Sequence, residues 1–588
     1  MMIMKKYIGI SIIAMGLGLT ACDDFLDKLP DNRTEANTEE KIQKLLIAAY
    51  PTHDHMAFTE YASDNVDDMG ENNPNTERFI DQLYNWEDLT ETDNQDTESY
   101  WMDLYQCIET ANMALEGIES MGGATTKTLK QAQAEALLCR AYAHFMLVNI
   151  FAQHYDANNA TAPGVSYVTE TEKELNPQYQ RETVHQNYAH IEADIEAALP
   201  NVGDSYYTVP KYHFNRMAAY AFATRFYLYY EKYDKAIECA NVVLGSNPGT
   251  VLRDWAVLAT MPNGNPQQQP TTLHVIDPTL NCNLLLMTSY SHQGVYFGGY
   301  RTGTRYSHNS YIGKYETIGM QGSNILTGLA AVWGGNYQSY AYLVKRYTGS
   351  MDKWSQWRMP YEFEYTDPVA GIGYSHTVYS AFTTDEVLLN RAEAYILKKD
   401  YNSAITDLNT WMLNVQSAST KAKGFRLTTE YVKDFMNSIE YAYTQNYVKD
   451  RTGKVLKSKQ NANLDSVVTV GKDQGTVSSL KKHLNPKFSI DAEGSEQESL
   501  LQLVLAMRRY ETMHEGKRWF DIKRWGIKIP RRLMDASSYP EKITDWLEVD
   551  DQRRAIQIPM KVRDAGYEPN PRTETRIGSD MEEMCIED

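Results

Sequence analysis

The apolar residues of this chain recur every three or four positions in several long stretches, which is the spacing of one face of an α-helix. The longest stretch, 130–151, is also rich in alanine, a strong helix former. Pro51 ends the first stretch, because proline lacks the backbone donor that a helix interior needs. The pattern predicts helices at 39–50, 100–118, 130–151 and 184–199.

Two later segments share one pattern, position for position: a tyrosine, five residues, a second tyrosine, two residues, then alanine and isoleucine. A large aromatic side chain beside a small alanine lets two antiparallel helices approach closely, as in the tetratricopeptide repeat, which this pattern resembles. The copies stand much further apart than the usual spacing of about 34 residues, so large insertions must separate the helix pairs. The copies run from Tyr227 to Ile237 and from Tyr395 to Ile405.

The helical pattern fades between the two copies, from about 245 to 383, where glycine, asparagine, serine, proline and aromatic residues take over. Short strands and long loops are expected there, and long loops in an ordered protein are usually functional. A second irregular stretch, about 446–494, is rich in lysine and serine and is predicted to be a flexible surface excursion. We therefore expect a leader at 1–21 and a single domain at 22–588 that carries both irregular stretches.

The beginning of the chain resembles a bacterial lipoprotein signal. Lys5 and Lys6 precede an apolar run at 7–19, which is shorter than the roughly 20 residues of a membrane-spanning helix. The run ends in Leu-Thr-Ala-Cys, and a cysteine at a cleavage point can carry a diacylglycerol. The sequence predicts lipidation of Cys22 and attachment to a membrane by acyl chains only. The alternatives are an ordinary signal with an incidental cysteine and, given the acidic residues after Cys22, retention at the inner membrane.

The formal charge of -20 and a pI near 5.2 argue against a nucleic-acid partner, which requires basic surface. The other cysteines show no Cys-x-x-Cys spacing, so neither a zinc site nor a disulfide framework is predicted, although one bridge is left open. Cys139 and Cys239 fall within helical patterns, where a small buried residue is expected. The full set is Cys107, Cys139, Cys239, Cys282 and Cys585.

Candidate catalytic residues are few. The chain has no phosphate-binding loop, no nucleophile elbow and no His-Glu-x-x-His helix. Glu511 and Glu515 have the spacing of an acid–base pair, but lysine and arginine surround them, which favours ion pairs within a helix. His53 and His55 could be metal ligands, yet a solvated loop after Pro51 is the simpler interpretation. We predict no catalytic residue, no metal and no cofactor.

The aromatic residues offer the better lead, since the chain holds 42 tyrosines and 10 tryptophans. Those in helices are expected in the core, whereas those beside glycine and asparagine in loops can stack on the apolar face of a sugar ring. Neighbouring polar side chains would then bind the hydroxyls. The candidate ligand-binding residues are Tyr84, Asn85, Trp86, Tyr296, Tyr300, Arg301, Trp333, Asn336 and Tyr337. Tyr306 with Asn309, and Trp354 with Trp357, have similar local chemistry.

Three blocks of sequence, in order, together resemble the SusD/RagB family. The first is the start of the mature chain, Cys22-Asp-Asp-Phe-Leu-Asp with a proline soon after. The second spans the two long helices from Trp101 to Phe151, and the third runs from Arg509 through Glu-Gly-Lys-Arg-Trp-Phe-Asp to Trp525. One departure is Gly164-Val-Ser, where the family usually has Gly-x-Pro.

The resemblance implies a mainly α fold of about four tetratricopeptide-like helix pairs, with the ligand site on the irregular region. It adds Asp64, which lies in a segment that matches a loop near the family's ligand face. It also implies a surface lipoprotein of the outer membrane that binds oligosaccharides beside a SusC-like TonB-dependent transporter. A peptide-binding branch of the family, a surface glycoside hydrolase and a purely structural scaffold stay open as alternatives.

Overall fold

The computed structural model describes most of the chain and leaves out its first 35 residues. The described ranges are 36–91, 96–174, 179–261, 269–298, 304–317, 347–349, 353–356, 358–422, 424–437, 441, 447–449, 455–457, 481–536, 538, 540–572 and 585–586. Side chains at a few of these positions are not described. No described helix is both long enough and apolar enough to cross a membrane.

The regular secondary structure in the first half of the chain is almost entirely helical. Its helices are α1 (Glu39–Leu46), α2 (Met56–Ala62), α3 (Arg78–Tyr84), α4 (Thr97–Ser120), α5 (Lys127–Phe151), α6 (Val184–Ala198), α7 (Arg216–Tyr229) and α8 (Tyr233–Leu244). Side-chain oxygens cap several of these helices: Asp96 accepts from Ser99 N, and Thr126 accepts from Leu129 N. The four helices predicted from periodicity are confirmed, with ends shifted by a few residues.

The second half mixes short and long helices with strands. Its helices are α9 (Trp255–Leu258), α10 (Gln269–Val275), α11 (Gln293–Tyr296), α12 (Ser310–Tyr315), α13 (Thr384–Leu397), α14 (Tyr401–Val415), α15 (Ala418–Lys421), α16 (Thr429–Asn437), α17 (Glu496–Glu511), α18 (Arg518–Arg524) and α19 (Met560–Asp564). The strands are β1 (Asp67–Asp68), β2 (Asn283–Tyr290), β3 (Tyr306–Ser307), β4 (Tyr347–Gly349), β5 (Trp354–Gln356), β6 (Glu362–Asp367), β7 (Ile372–Thr383), β8 (Tyr447–Lys449), β9 (Val455–Lys457), β10 (Ile529–Met534), β11 (Pro540–Leu547) and β12 (Cys585–Ile586).

The two repeat copies form matching helix pairs, α7 with α8 and α13 with α14. Ala236 and Ala404 are fully buried, as close packing requires. In each connecting turn one residue adopts a left-handed conformation, Glu231 with φ 60° and Lys399 with φ 62°. With α4–α5 and α16–α17, these pairs give the mainly α, tetratricopeptide-like fold that the sequence predicts.

The irregular region contributes two kinds of structure. Strands β2, β7 and β6 form an antiparallel sheet, and β7 leads directly into α13. The short helices α9 to α12 are an addition that the sequence pattern does not predict. A separate four-stranded sheet, in the order β11–β10–β1–β3, joins the N-terminal part, the irregular region and the C-terminal part.

The predicted surface excursion at 446–494 is shorter than expected, because its last part packs against the core. Lys482 is buried and pairs with Asp64, while Phe488 and Ile490 contact the main hydrophobic cluster. The described residues 481–494 are therefore not part of a flexible excursion. Of the cysteines with described side chains, Cys139 and Cys239 are buried and free, as predicted, and Cys107 and Cys282 are likewise buried and free.

Candidate functional site

A buried group of charged side chains lies where the four-stranded sheet meets α17 and α18. Asp64 is 4% exposed, and its carboxylate accepts two hydrogen bonds from Arg518, at 2.8 and 3.0 Å. Lys482 and Arg509 lie on the same carboxylate. Burial by itself would raise the pKa of Asp64, but Arg509, Arg518 and Lys482 hold it well below its usual range.

The irregular region enters this group through Glu316, which is fully buried. Arg532 binds the carboxylates of both Glu316 and Asp67, with its Nε 2.7 Å from Asp67 Oδ1. Burial would raise the pKa of Glu316, yet Arg532, Lys482 and Arg509 lower it to about 2. We call this set the charge cluster; it consists of Asp64, Asp67, Glu316, Lys482, Arg509, Arg518 and Arg532. The charge cluster connects three parts of the chain that are distant in sequence: residues 64–67, Glu316 in the irregular region, and residues 482–532.

An aromatic and arginine layer lies beside the charge cluster. The guanidinium of Arg531 lies 4.2 Å from the ring centre of Tyr84 and 3.8 Å from that of Trp86. Tyr306 stacks on Tyr84, with ring centres 4.2 Å apart. The indole nitrogen of Trp86 donates to the carbonyl of Ala62 at 2.8 Å. Tyr84 and Trp86, both predicted to bind the ligand, therefore pack their ring faces against other side chains of the protein.

Tyr296 is one of the residues that line a small surface depression near this layer. Its ring packs edge-on against Tyr61 with centres 5.8 Å apart, and its hydroxyl lies 3.4 Å from a carboxylate oxygen of Glu77. Arg305, on the wall of the depression, pairs with Asp68 at 2.7 Å and is partly exposed. The wall also includes Asn75, Thr76 and Thr304. Polar side chains of this kind can bind sugar hydroxyls.

The predicted site residues thus include four that are buried, one that is half-buried and five that lie outside the described residues. Tyr84, Trp86, Tyr296 and Asp64 are only 1%, 6%, 2% and 4% exposed, so the expectation of aromatic faces open to solvent does not fit these three rings. The cause is packing by residues far away in sequence: Arg531 packs against Tyr84 and Trp86, and Tyr61 packs against Tyr296. Asn85 is half-buried and its amide nitrogen donates to the carbonyl of Asp81 at 2.8 Å. Tyr300, Arg301, Trp333, Asn336 and Tyr337 lie outside the described residues, as do Cys22 and Trp357.

Sequence reasoning missed Arg305 and Glu77, which flank Tyr296. Arg305 directly precedes the secondary candidate Tyr306, so that aromatic could have pointed to it, whereas Glu77 has no aromatic residue beside it in sequence. Of the secondary candidates, Tyr306 is buried against Tyr84, and Asn309 caps α12 by accepting from Ile312 N. Trp354 is partly buried against the core.

The two carboxylates proposed as a catalytic alternative are held in ion pairs, as predicted: Lys517, close in sequence, pairs with Glu515 at 3.0 Å, and a cation from another element adds to this. Arg358, from the irregular region, lies 2.8 Å from Glu515 and 3.6 Å from Glu511. Burial and the nearby carboxylate of Asp385 raise the pKa of Glu511 to about 8. Both side chains are buried, so their geometry is that of a structural contact between α17 and the irregular region.

The His-Asp-His segment is a loop, as expected, but Asp54 and His55 are buried and only His53 is partly exposed, so the expectation of a solvated segment is wrong for two of its three residues. Asp54 accepts from Ser289 Oγ at 2.6 Å and from Met56 N at 2.9 Å. The ring of His55 packs against Phe520, with centres 5.5 Å apart. Across the described part of the chain, no group of three or more His, Cys, Asp or Glu residues could hold a metal ion.

The fold and these contacts define a helix-pair scaffold whose C-terminal helices bind an inserted irregular region through buried charges. One family model, described as starch-binding and associating with the outer membrane, matches residues 24–228. A second model, that of the SusD family, matches residues 435–582. The two matches lie towards opposite ends of the chain and agree with its fold, and the chain belongs to the SusD/RagB family.

Solved structures of this family share the fold. A SusD superfamily protein from Bacteroides thetaiotaomicron is 18% identical with a TM-score of 0.54, covering 91% of this chain and 100% of its own. One from Bacteroides fragilis is 17% identical with a TM-score of 0.53, covering 91% and 99%. A SusD-like carbohydrate binding protein from Bacteroides vulgatus is 13% identical with a TM-score of 0.52, covering 90% and 96%. A comparison with curated proteins finds no match.

Proposed function

We propose that this protein is a lipid-anchored binding protein of the outer-membrane surface that captures oligosaccharides and delivers them to a SusC-like TonB-dependent transporter. The observation that carries the proposal is the pair of family matches, one of them described as starch-binding and associating with the outer membrane. The Bacteroides vulgatus relative with the same fold is named a carbohydrate binding protein, which agrees with the proposal.

Within this function the candidate residues take different roles. Asp64, Tyr84, Trp86 and Tyr296 are buried, so we assign them to the support of the ligand surface, with Asn85 at its edge. Direct contact with the sugar is proposed for the remaining candidates, Tyr300, Arg301, Trp333, Asn336 and Tyr337, together with Arg305 at the depression beside Tyr296.

Electrophoresis of the purified protein through gels that contain different polysaccharides tests the binding proposal. We expect one glycan to retard the protein, and Trp333→Ala to abolish the retardation without lowering the melting temperature. Tyr365→Ala is the matched control, because Tyr365 is an exposed aromatic residue on β6 and not a candidate. Retardation that survives Trp333→Ala would reject the assignment of Trp333.

The same protein distinguishes the alternatives. Binding to extended peptides with no binding to any glycan would move the protein to the peptide-binding branch, and release of sugar products would make it a hydrolase. For the anchor, Cys22→Ala should shift the protein from the membrane fraction to the soluble fraction. Retention of the Cys22→Ala protein in the membrane fraction would contradict lipid attachment at this residue.

A further inference from the structure

A polar cavity of about 310 Å³ has no described lining residue in common with the depression beside Tyr296. Small-molecule sites commonly occupy about 300–1,000 Å³, so the cavity has room for one small ligand. Its walls come from five places: the segment after α5, the residues around Asn485, the C-terminal end of α18, the turn around Gln552, and Asn570 with Pro571.

Two buried cations line this cavity. Lys523 donates to the carbonyls of Asn149 and Ala152, the latter at 2.7 Å. Arg554 donates to the carbonyls of three residues, Glu548, Ile522 and Ile527, at 2.8, 2.7 and 2.6 Å. Burial lowers the pKa of Arg554 to about 10, although the nearby carboxylates of Asp551, Asp550 and Glu548 act to raise it. No direct ion pair of Lys523 or Arg554 with a carboxylate is found among the described residues. Lysine has three N–H donors and arginine has five, so each cation keeps further donors.

Buried positive charge without a carboxylate partner is costly, because carbonyl groups offset only part of the lost hydration. Lys523 and Arg554 are 7% and 2% exposed. The interaction of their charges is unfavourable, as Arg554 lowers the pKa of Lys523. An anion in the cavity would relieve this repulsion.

Two further polar atoms on the same walls are buried with no hydrogen-bond partner in the described structure: Nε2 of His154 and Oε1 of Gln552. Native proteins rarely leave such atoms unpaired, and a bound molecule is one common explanation. An amide oxygen requires a donor, so the missing partner of Gln552 carries an O–H or N–H group. A simple inorganic anion is much smaller than this cavity, so it would not reach the two cations and also donate to Gln552.

We propose that the cavity binds a small hydroxylated organic anion, carrying a carboxylate or a phosphate, whose charge lies at Lys523 and Arg554 and whose hydroxyl donates to Gln552. The site would be separate from the oligosaccharide surface. Lys487 and Asp550, which form an ion pair 2.5 Å long, are also on its wall and set the charge at its rim.

The proposal makes the affinity depend on pH. Burial, and then the charge of Arg554, lowers the pKa of Lys523 to about 7, so this lysine is only partly charged at neutral pH. An anion binds the charged form better, so binding should take up protons and strengthen by up to about tenfold from about pH 8 to about pH 6. The other titratable groups on the walls are His154, Asp156, Lys487, Asp550 and Arg554.

Isothermal titration calorimetry of the full chain with glucuronate and with glucose 6-phosphate tests the proposal, with uncharged glucose as the control ligand. The two anions distinguish a carboxylate from a phosphate ligand, and we expect at least one of them to bind while glucose does not. Lys523→Met should weaken that binding by at least about tenfold, because one charge-assisted hydrogen bond is lost. Lys398→Met is the matched control, since Lys398 is a partly exposed lysine outside the cavity.

Lys523 also caps the end of α5, so its replacement could prevent folding. Gln552→Leu avoids this difficulty because it keeps both cations and the backbone, and it should weaken binding by about fivefold or more. The proposal is overturned if neither anion binds at about pH 6, if glucose binds as well as the anions, or if Gln552→Leu binds like the unaltered protein.

Discussion

At the scale of single residues, Trp86 shows how strongly its surroundings fix one side chain. Its backbone has φ 53°, a left-handed conformation that costs an ordinary residue about 1–2 kcal/mol. The indole is 6% exposed, donates to Ala62 O and lies 3.8 Å from the guanidinium of Arg531 and 5.4 Å from that of Arg553. These contacts hold the strained turn in place beside the candidate site.

Trp86→Ala should lower the free energy of unfolding by about 3–5 kcal/mol, the usual effect of removing a buried tryptophan. Trp86→Phe keeps an aromatic ring against Arg531 and loses only the hydrogen bond and part of the volume, so a smaller loss is expected. Urea unfolding followed by circular dichroism measures both. If Trp86→Ala removed glycan binding and left stability unchanged, Trp86 would contact the ligand directly.

The sequence predicted where this aromatic and polar chemistry lies, but not which side chains face the solvent. Tyr84 ends α3, and Asn85 and Trp86 follow it in a turn; that these three residues are adjacent is local information. Their burial depends on Arg531, which follows Trp86 by more than four hundred residues and reaches them through the pairing of β10 with β1. A residue pattern carries no record of such a distant contact.

At the scale of helices and strands, the turns between paired helices repeat in detail. The N–H of Lys232 donates to Tyr227 O at 2.9 Å, and the N–H of Asp400 donates to Tyr395 O at the same distance. Each turn passes through a residue with positive φ, where glycine is the usual choice. The periodicity and the internal repeat predicted these pairs because their contacts are close in sequence.

Lys399→Gly should stabilise the protein by about 0.5–1 kcal/mol, since glycine adopts φ 62° without strain and the exposed ion pair of Lys399 contributes little. Glu238→Gly, in the middle of α8, is the control and should destabilise by about 1 kcal/mol. Thermal unfolding of the two variants should shift in opposite directions. A loss of stability in Lys399→Gly would mean that the ion pair with Asp491 outweighs the backbone strain.

The contact between α2 and the segment before α18 depends on Gly516. A methyl group there would lie 2.2 Å from Thr59 Oγ1 and 2.8 Å from Met56 Cα. Gly516→Ala should therefore destabilise by about 3 kcal/mol or more, through both overpacking and its φ of 69°. Gly371→Ala is a matched control, with φ 68° but open space around it, and should cost only about 1–2 kcal/mol. Equal losses in unfolding free energy would show that close packing at Gly516 is unimportant.

The irregular region could be predicted only in outline. Its composition indicated strands and loops, and β2, β6 and β7 agree with that expectation. Its attachment to the scaffold could not be inferred, because Glu316 and Arg358 look like ordinary surface charges in sequence and acquire their meaning from partners on α17 and β10.

At the scale of the whole molecule, the chain carries a large number of buried charges for a protein whose formal charge is -20. Most of these charges connect segments that are distant in sequence, as Glu386 does with Arg225 and Lys517. Breaking such a pair by removing one partner typically costs about 3–5 kcal/mol, because the other charge is left unpaired. Protonation of a buried carboxylate also breaks its ion pair, so a change of pH affects contacts between many distant segments at the same time.

Stability should fall steeply as the solution becomes acidic. Burial lowers the pKa of His55 and of His144 to about 3, below the ordinary value of 6.5, so the unfolded chain takes up two protons that the folded chain does not. Burial would raise the pKa of Glu316 and of Glu386, but their cationic partners lower it to about 2, below the ordinary 4.5. For all four groups the unfolded state binds more protons over the acidic range, so each of them removes stability as the pH falls from 6.5 to about 2. Glu511, whose pKa is raised to about 8, acts in the opposite direction between about pH 8 and its ordinary value of 4.5.

Urea unfolding at a series of pH values measures this loss as the slope of unfolding free energy against pH, about 1.4 kcal/mol per pH unit for each proton taken up. His144→Gln removes one titrating group, while its amide can replace the bonds that His144 makes to Arg140 O and Val168 N. The slope of this variant between pH 6.5 and about 3 should be smaller by about one proton. An unchanged slope would mean that His144 is already charged in the folded protein, and that the segment around Val168 opens to solvent at acidic pH.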